Sequence, residues 1–254
     1  MPVFSADALV LRTYRYGEAD RIVVFLTSDR GKKRGVAKHA SRSRRRFGGA
    51  LEPLTQGRAT YFEREGRDLV RLDRIEPTAT PLGSVGHVEA GEAARTLGYA
   101  SYFAELIDEW APDDAPNERV FRLGMAVAGA LGGGPSVEGL ARYFEYWLLK
   151  LEGVYPAIDR CPACGVSLQA GAAFSIADRA YVCRSCRQGS QRLSGEAMAF
   201  LGRMRGRTPA DVVREGTSAT ALAELERAHE RLIALHLEKT LRSIRVVKDL
   251  GTHL

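Results

Sequence analysis

The first third of the chain has the periodicity of β-strands. Apolar residues alternate with polar ones or form short β-branched runs, and turn residues separate them. Five segments show the pattern: 8–11, 22–26, 32–38, 57–64 and 68–75. Five short strands in so few residues are typical of a small closed barrel of the OB type. An SH3-like barrel would show the same periodicity, so the pattern alone leaves both open.

Beyond Pro81 the apolar positions recur every three to four residues, as they do in amphipathic helices. One predicted helix ends before Pro112. A second begins after Asn117, which is a plausible N-cap residue, and a third runs from about Ser136 to Glu152. Two or three more helices are predicted. Ser194 is a candidate cap for one that runs to about Arg205, another begins at Thr208, and the longest runs from about 219 to 247. The sequence therefore predicts a multidomain β + α protein. An OB-fold β-barrel in residues 1–79 precedes an all-α domain in residues 80–254.

All four cysteines lie in two Cys-x-x-Cys pairs, and 18 residues separate the pairs. Two such turns bring four thiolates to the corners of a tetrahedron, which is the usual geometry of a structural zinc site. Paired disulfides or a redox dithiol are the alternatives. We expect one structural zinc ion in a zinc finger module at about 158–192, inserted in the helical domain. The predicted ligands are Cys161, Cys164, Cys183 and Cys186.

Positive charge is concentrated in one stretch, from Arg30 to Leu51. It contains nine Lys and Arg residues and no acid, whereas the other 28 Lys and Arg residues face 31 Asp and Glu residues. Such a concentration favours binding to the phosphates of a nucleic acid. A solvated basic loop or an address tag is the alternative. The predicted DNA-binding residues are Arg30, Lys32, Lys33, Arg34, Lys38, Arg42, Arg44, Arg45 and Arg46.

The predicted binding mode is tolerant of sequence. The lysines and Arg34 would follow the phosphates along one face of the barrel, while the later arginines would clamp the strand. Aromatic residues near the barrel surface would stack on bases, as they do in other proteins that bind single strands. The candidates for stacking are Tyr14, Phe47 and Tyr61.

The sequence contains no constellation that predicts catalysis. Glycine-rich phosphate loops and Gly-x-Ser-x-Gly elbows are absent from it. A nuclease-like cluster of Asp7, Glu18, Asp20 and Asp29 is one hypothesis, but acids beside turns more often serve solubility. We therefore expect no enzyme activity. Neither a signal peptide nor an apolar run long enough to span a bilayer is evident, so we expect a cytoplasmic protein.

Two blocks resemble the RecO family of bacterial recombination mediators. One is GEADRIVVFLTSDRGKKRGVAKHASRSRRRFGGALEPLT at 17–55, and the other is YFEYWLLKLEGVYPAIDRCPACG at 143–165. With the order of elements, the likeness covers nearly the whole chain. This sequence departs from the family at His39, Ala40 and Ser41, because the family usually has Gly and Arg after the lysine at Lys38.

The resemblance implies an OB domain, a helical domain and, in some members, a four-cysteine zinc site. Such proteins bind single- and double-stranded DNA and anneal complementary strands. With RecR they promote loading of the recombinase RecA onto DNA covered by single-strand-binding protein, whose C-terminal tail is another expected partner. The resemblance implies action at the nucleoid, with no membrane and no small-molecule substrate. An RNA-binding translation or ribosome-assembly factor and a DNA-processing enzyme are the alternatives.

Overall fold

The computed structural model of the protein describes residues 2–84, 89–131, 136–186, 192–237 and 241–244, together with Val247 and Asp249. The chain forms two compact units. The first comprises residues 1–133 and 241–254, and the second comprises residues 134–240. In the described part of the chain, no helix is long and apolar enough to cross a membrane.

The first unit is built on a closed five-stranded barrel. The strand order is β1-β2-β3-β5-β4; neighbours are antiparallel except β3 and β5, which are parallel. This arrangement confirms the predicted N-terminal barrel. The strands are β1 (Val3–Tyr16), β2 (Asp20–Thr27), β3 (Gly31–Ala37), β4 (Gln56–Phe62) and β5 (Val70–Ala79). All five predicted strands are present, although β1 is much longer than expected.

The length of β1 has a structural reason. Its first half pairs with β4 and its second half with β2, and the register shifts between Val10 and Arg12. A bulge of this kind bends a strand and increases its twist, so one strand can serve two sides of a barrel. Closure also depends on Gly35, because a Cβ there would lie 2.9 Å from the Cβ of Leu72 on β5.

The barrel core includes two aromatic residues that the sequence offered as base-stacking platforms. Tyr61 on β4 is fully buried, and its ring meets the Phe25 ring edge-on. Phe47 ends the short helix α1 (Arg44–Phe47), which lies between β3 and β4, and its side chain packs into the same core. The segment predicted as a basic loop is therefore anchored to the barrel by an apolar side chain.

Helices complete the first unit. They are α2 (Pro81–Ser84), α3 (Ala90–Trp110) and α4 (Glu118–Ala130). Asn117 caps α4 as predicted, because its side chain accepts a hydrogen bond from the Val120 amide. Since α3 and α4 pack on β1 and belong to the barrel's unit, the compact units do not divide at the predicted boundary between residues 79 and 80.

The second unit combines helices with a small sheet. The helices are α5 (Val137–Leu151), α6 (Gly195–Arg203), α7 (Pro209–Glu215) and α8 (Ala219–Leu237). Ser194 caps α6 as predicted, and Ser136, predicted only as the start of a helix, caps α5. The described part of α8 ends before the predicted end at Val247, and residues 238–240 lie outside the described residues.

The sheet in the second unit was not predicted. Its strands β6 (Gly171–Ser175), β7 (Ala180–Val182) and β8 (Arg192–Ser194) lie in the order β7-β6-β8. They are only three to five residues long, and β6 is buried along its whole length. Such short strands show no clear alternation, which is why periodicity did not reveal them.

A buried polar chain crosses the core of the second unit. The Nδ1 atom of His229 lies 2.8 Å from Oε2 of Glu145, and its Nε2 atom lies 2.9 Å from the Tyr155 hydroxyl. Burial lowers the pKa of His229, although the Glu145 carboxylate opposes this effect. His229 and Glu145 are fully buried. These hydrogen bonds therefore satisfy the polar groups inside the core, and the buried side chains offer no accessible surface to a substrate.

Candidate nucleic-acid interface and metal centre

Lys32, at the start of β3, is enclosed by acidic groups. Its ammonium donates a hydrogen bond to the Asp108 carbonyl oxygen at 2.5 Å, and it lies 3.2 Å from the Asp108 carboxylate. Asp113, in the segment between α3 and α4, lies 3.4 Å away. Only 7% of the Lys32 side chain is exposed. The charge is therefore neutralised beneath the protein's own carboxylates.

The next two cations on β3 are paired in the same way. Lys33, which is also buried, lies 2.7 Å from Asp114 and 2.8 Å from Glu63. Arg34 is exposed and lies 3.4 Å from Asp113. We call Asp113 and Asp114 the acidic clasp, because together they cover the cations at the start of β3.

The backbone holds the acidic clasp in place. The Asp114 amide donates a hydrogen bond to the Lys32 carbonyl oxygen at 3.0 Å, and Asp113 forms a parallel bridge with Lys32. Gly31 makes this approach possible: its φ is +70°, and a Cβ there would collide with the backbone of Ala115. The acidic clasp is therefore built into the barrel's unit by main-chain contacts as well as by charge.

These contacts correct the prediction for Lys32 and Lys33. Neither ammonium lies on an open surface that a phosphate could reach, because each is buried and already paired with carboxylates. The local sequence could not reveal this pairing, because Asp108, Asp113 and Asp114 lie about 80 residues further along the chain.

A second ionic network lies on α3 close to the acidic clasp. Arg12 of β1 lies 2.9 Å from Asp108 and 3.1 Å from Glu105. Glu105 also accepts hydrogen bonds from the backbone amides of Arg242 and Ser243. Burial alone would raise the pKa of Glu105, but the hydrogen bonds from Ser243 and Arg242 and the charge of Arg12 lower it overall. This carboxylate is therefore held ionised.

Two further predicted cations contact aromatic rings. The guanidinium of Arg30 lies 3.8 Å from the centre of the Phe4 ring, and its side chain is 41% exposed. The guanidinium of Arg46 lies over the Phe47 ring and donates a hydrogen bond to the Lys38 carbonyl oxygen at 2.6 Å. Arg46 thus holds the basic segment together, while Arg30 remains partly accessible.

The basic segment after β3 is open. Lys38 and Arg42 are exposed, and among the described residues neither forms an ion pair. The segment rests on the β1–β2 turn, because the His39 amide donates to Asp20 at 2.7 Å and the Ser41 amide to the Ala19 carbonyl oxygen at 3.0 Å. The backbone of Arg44 and Arg45 lies in α1, and their side chains are outside the described part of the structure.

An open cleft lies beside Lys38, at the seam where β3 and β5 close the barrel. Its volume is about 720 Å³, and the β1–β2 turn and the β4–β5 loop contribute to its walls. We call it the barrel cleft. Its charged lining residues are Lys38, Arg64, Arg67, Arg71, Asp20 and Asp68. The sequence reasoning did not select Arg64, Arg67 or Arg71. The signal that could have revealed Arg64 and Arg67 is their position in the β4–β5 loop, which OB folds commonly use for ligands; Arg71 is the second residue of β5.

Of the three aromatic residues predicted to stack on bases, only Tyr14 is exposed. Phe47 and Tyr61 are buried, and burial raises the pKa of the Tyr61 phenol to about 12, so neither presents a ring to a base. This corrects the prediction for both. Tyr14 is 46% exposed, and Tyr16, which was not predicted, is 49% exposed and lines the barrel cleft.

The four cysteines come together in the second unit. All are free thiols, and their sulfur atoms lie within 4.8 Å of one another. Cys164 Sγ and Cys183 Sγ are 3.6 Å apart. Four thiolates around one zinc ion, with Zn–S bonds of about 2.3 Å, would be separated by roughly 3.8 Å. The donor set can therefore hold one metal ion.

Backbone geometry prepares these sulfurs for a cation. The first turn is closed by the Gly165 amide, which donates to the Cys161 carbonyl oxygen at 2.8 Å, with Gly165 at a φ of +74°. Hydrogen bonds from backbone amides, foremost that of Cys183, lower the pKa of Cys161 to about 6. Hydrogen bonds with the sulfurs of Cys164 and Cys183 raise the pKa of Cys186 to about 12. A bound cation would favour release of that last proton.

Comparison with known proteins places the chain in a family. A model described as "Recombination protein O N terminal" matches residues 1–81, and one described as "Recombination protein O C terminal" matches residues 92–245.

Curated relatives match over almost their whole length. The DNA repair protein RecO of Koribacter versatilis is 37% identical over 97% of this chain and 98% of its own. The DNA repair proteins RecO of Anaeromyxobacter dehalogenans and Geobacter metallireducens are each 34% identical over 96% of this chain, and over 95% and 96% of their own. The family models and these relatives, which match nearly the whole chain, agree, and the chain belongs to the RecO family of DNA repair proteins.

Proposed function

We propose that this protein binds single- and double-stranded DNA in recombinational repair and anneals complementary strands. The observation that carries the proposal is the open cationic surface formed by Lys38, Arg42 and the barrel cleft, on the barrel of a RecO-family chain. In this region the described cations are exposed and free of ion pairs, whereas those at the start of β3 are neutralised. The match over the whole length of curated DNA repair proteins supports the same role.

The proposed mechanism needs no chemical step. Lys and Arg side chains would replace counterions along the phosphates, which lowers the repulsion between two strands held close together. Because binding is through phosphates, the base edges of a single strand remain free to pair with a complement. The role is therefore that of a non-catalytic mediator, and strand annealing follows from charge neutralisation alone.

The proposed partners come from the family resemblance. With RecR, the protein would promote loading of RecA onto single-stranded DNA covered by single-strand-binding protein. The C-terminal tail of single-strand-binding protein, which is acidic and apolar, would bind an apolar groove of the helical domain rimmed by basic side chains. The proposal assigns no residues to either partner surface.

An annealing assay tests the proposed function. Two complementary labelled oligonucleotides are mixed with the full chain, with and without single-strand-binding protein, and pairing is followed by energy transfer. Faster pairing in both cases, with no change in the length of either strand, is the expected result. Pairing at the spontaneous rate would contradict the proposal, and metal-dependent shortening of a strand would indicate a DNA-processing enzyme instead. Tighter binding to a matched RNA strand than to DNA would favour the RNA-binding alternative.

We also propose that the metal held by the four cysteines is zinc, in a structural role. Four protein ligands leave no open position for a substrate, which is typical of structural zinc sites. The test is the metal content of the purified chain, for which we expect one zinc ion. Cys164→Ser and Cys186→Ser should lose the zinc and lower the melting temperature. A chain that is purified without metal and melts at the same temperature after either substitution would contradict the assignment.

A further inference from the structure

We infer that the barrel cleft is a site for single-stranded DNA in which Tyr16 stacks on a base and the arginines of the β4–β5 loop bind the flanking phosphates. The inference rests on the proposed function and deepens it. It assigns discrimination between single strands and duplexes to one aromatic side chain. It also moves the centre of the interface from the start of β3 to the opposite end of that strand.

The first support is the position of Tyr16. It is the last residue of β1, it pairs with Asp20 across the β1–β2 turn, and about half of it is exposed at the edge of the barrel cleft. A large aromatic side chain that remains half exposed beside a cleft has apolar surface available to a ligand. Phe47 and Tyr61 are excluded by burial. Tyr14 is as exposed as Tyr16 but does not line the barrel cleft.

The second support is the charge of the barrel cleft. Four cations line it against two acids, and one of the acids, Asp20, already accepts a hydrogen bond from the His39 amide. The four cations form no ion pair within the described part of the chain. Arg71 lies 5.5 Å from the centre of the Phe62 ring, which restricts its guanidinium. The cleft is therefore complementary to a chain of phosphates.

The third support is rigidity. The floor of the cleft is the parallel pairing of β3 with β5, in which Val36 lies opposite Arg71. This pairing brings the two strands close only because Gly35 has no side chain. A volume of about 720 Å³ lies within the range of clefts that hold small organic ligands, roughly 300–1,000 Å³. A nucleotide unit therefore fits on a fixed surface.

These features together favour single strands. In a duplex the bases are already stacked on one another, so an aromatic side chain gains nothing without disrupting that stack. In a single strand, stacking of a base on an aromatic ring contributes about 1–3 kcal/mol and depends little on sequence. Phosphate contacts serve both forms, so the tyrosine is the element that distinguishes them.

The test is a set of binding titrations with the full chain. The probes are labelled oligo(dT) of about 16 nucleotides, near the upper limit of an OB-fold site, and a duplex of equal length. Tyr16→Ala should bind oligo(dT) roughly 5- to 150-fold more weakly and the duplex with unchanged affinity. The salt dependence should be unchanged, because no cation is removed. Tyr16→Phe should bind like the wild type, since it keeps the ring.

Matched variants make the result decisive. Tyr14→Ala, at a site of similar exposure outside the cleft, should leave both affinities unchanged. Arg64→Ala with Arg67→Ala should weaken binding to both probes and reduce the salt slope for oligo(dT) by about 0.7 for each phosphate that is no longer neutralised. Suppose that the wild type binds both probes. If Tyr16→Ala then binds oligo(dT) as tightly as the wild type, or loses affinity for oligo(dT) and the duplex equally, the inference is wrong while the proposed function stands. If wild type binds neither probe, both fail.

Discussion

The two ends of strand β3 carry similar charge but have opposite environments. At its start, Lys32 and Lys33 are buried and paired with carboxylates from α3, the acidic clasp and the barrel itself. Just past its end, Lys38 is exposed at the mouth of the barrel cleft, beside loop arginines that make no ion pairs in the described structure. One run of cations therefore serves two purposes: it stabilises the fold at one end and leaves positive charge available for DNA at the other.

The difference teaches that the density of charge in a sequence does not locate an interface. A buried lysine stabilises the fold only because its partners compensate for its lost hydration. An exposed cation gains when a phosphate chain displaces its counterions. Substitutions at the two ends should therefore affect different quantities. Changes at the start of β3 should alter stability, and changes past its end should alter DNA affinity.

The largest effect is expected at Lys32. Lys32→Met removes a nearly buried charge. The Asp108 carbonyl oxygen loses its ammonium donor, and the carboxylates of Asp108 and Asp113 each lose one of their two cationic partners. We expect the free energy of unfolding to fall by about 2–3 kcal/mol, somewhat less than for a fully buried pair because Asp113 is exposed. DNA affinity of the folded variant should not change. Urea unfolding measures the stability and an oligo(dT) titration the affinity. A loss of affinity without a loss of stability would show that the start of β3 binds DNA and does not stabilise the fold.

The next effect is expected at the open end. Lys38→Ala with Arg42→Ala removes two exposed cations, and we expect oligo(dT) to bind roughly 25-fold more weakly at 0.1 M salt. Both side chains lie in solvent, so the melting temperature should shift by no more than about 2–3 °C. Fluorescence anisotropy measures the first quantity and calorimetry the second. A double variant that binds normally would remove the basic segment from the interface.

A smaller effect concerns acid pH and Glu105. Its pKa is lowered in the folded protein, so its contribution to stability is complete above the unfolded value near 4.5 and is lost as pH falls through the lower folded value. Glu105→Gln should cost about 1–2 kcal/mol at pH 7 and should flatten the fall in stability below pH 4.5. Thermal melts at pH 7 and pH 4 measure both. An equal fall in the variant and the wild type would show that Glu105 does not contribute to the acid dependence.

The smallest effect is expected at the acidic clasp. Asp113 and Asp114 are exposed, at 55% and 69% of their side chains, so their ion pairs with Arg34 and Lys33 are screened by solvent. Asp113→Asn with Asp114→Asn should cost less than about 1 kcal/mol. DNA affinity should rise by a few-fold at most, because Arg34 becomes available while both lysines stay buried. A rise of 100-fold would mean that the clasp conceals a second phosphate site.

Local signals in the sequence account for much of the fold. The caps at Asn117 and Ser194 are formed as predicted, because a cap depends only on residues about three positions away. The strands follow from alternation, and the spacing of the four cysteines indicated their convergence. The strict alternation of β4, with Ala59 and Tyr61 inward, also contained the evidence that Tyr61 is buried.

The features that the sequence did not reveal depend on contacts between distant parts of the chain. The pairing of Lys32 and Lys33 with Asp108 and Asp114 joins residues about 80 positions apart, and no local pattern reveals it. The barrel cleft likewise exists only because β3 and β5 lie side by side, which brings Lys38 next to the β4–β5 loop. Composition indicates a chain suited to anions, and tertiary structure determines which of its cations are free to bind them.

The central claim is that DNA is held by the open end of β3 and not by its start. The most direct test is the slope of log affinity for oligo(dT) against log salt concentration, measured for the wild type, Lys38→Ala with Arg42→Ala, and Lys32→Met. We predict that the slope falls by about 1.4 in the open-end variant and stays at the wild-type value in Lys32→Met. A slope that falls in Lys32→Met and is unchanged in the open-end variant would contradict the claim.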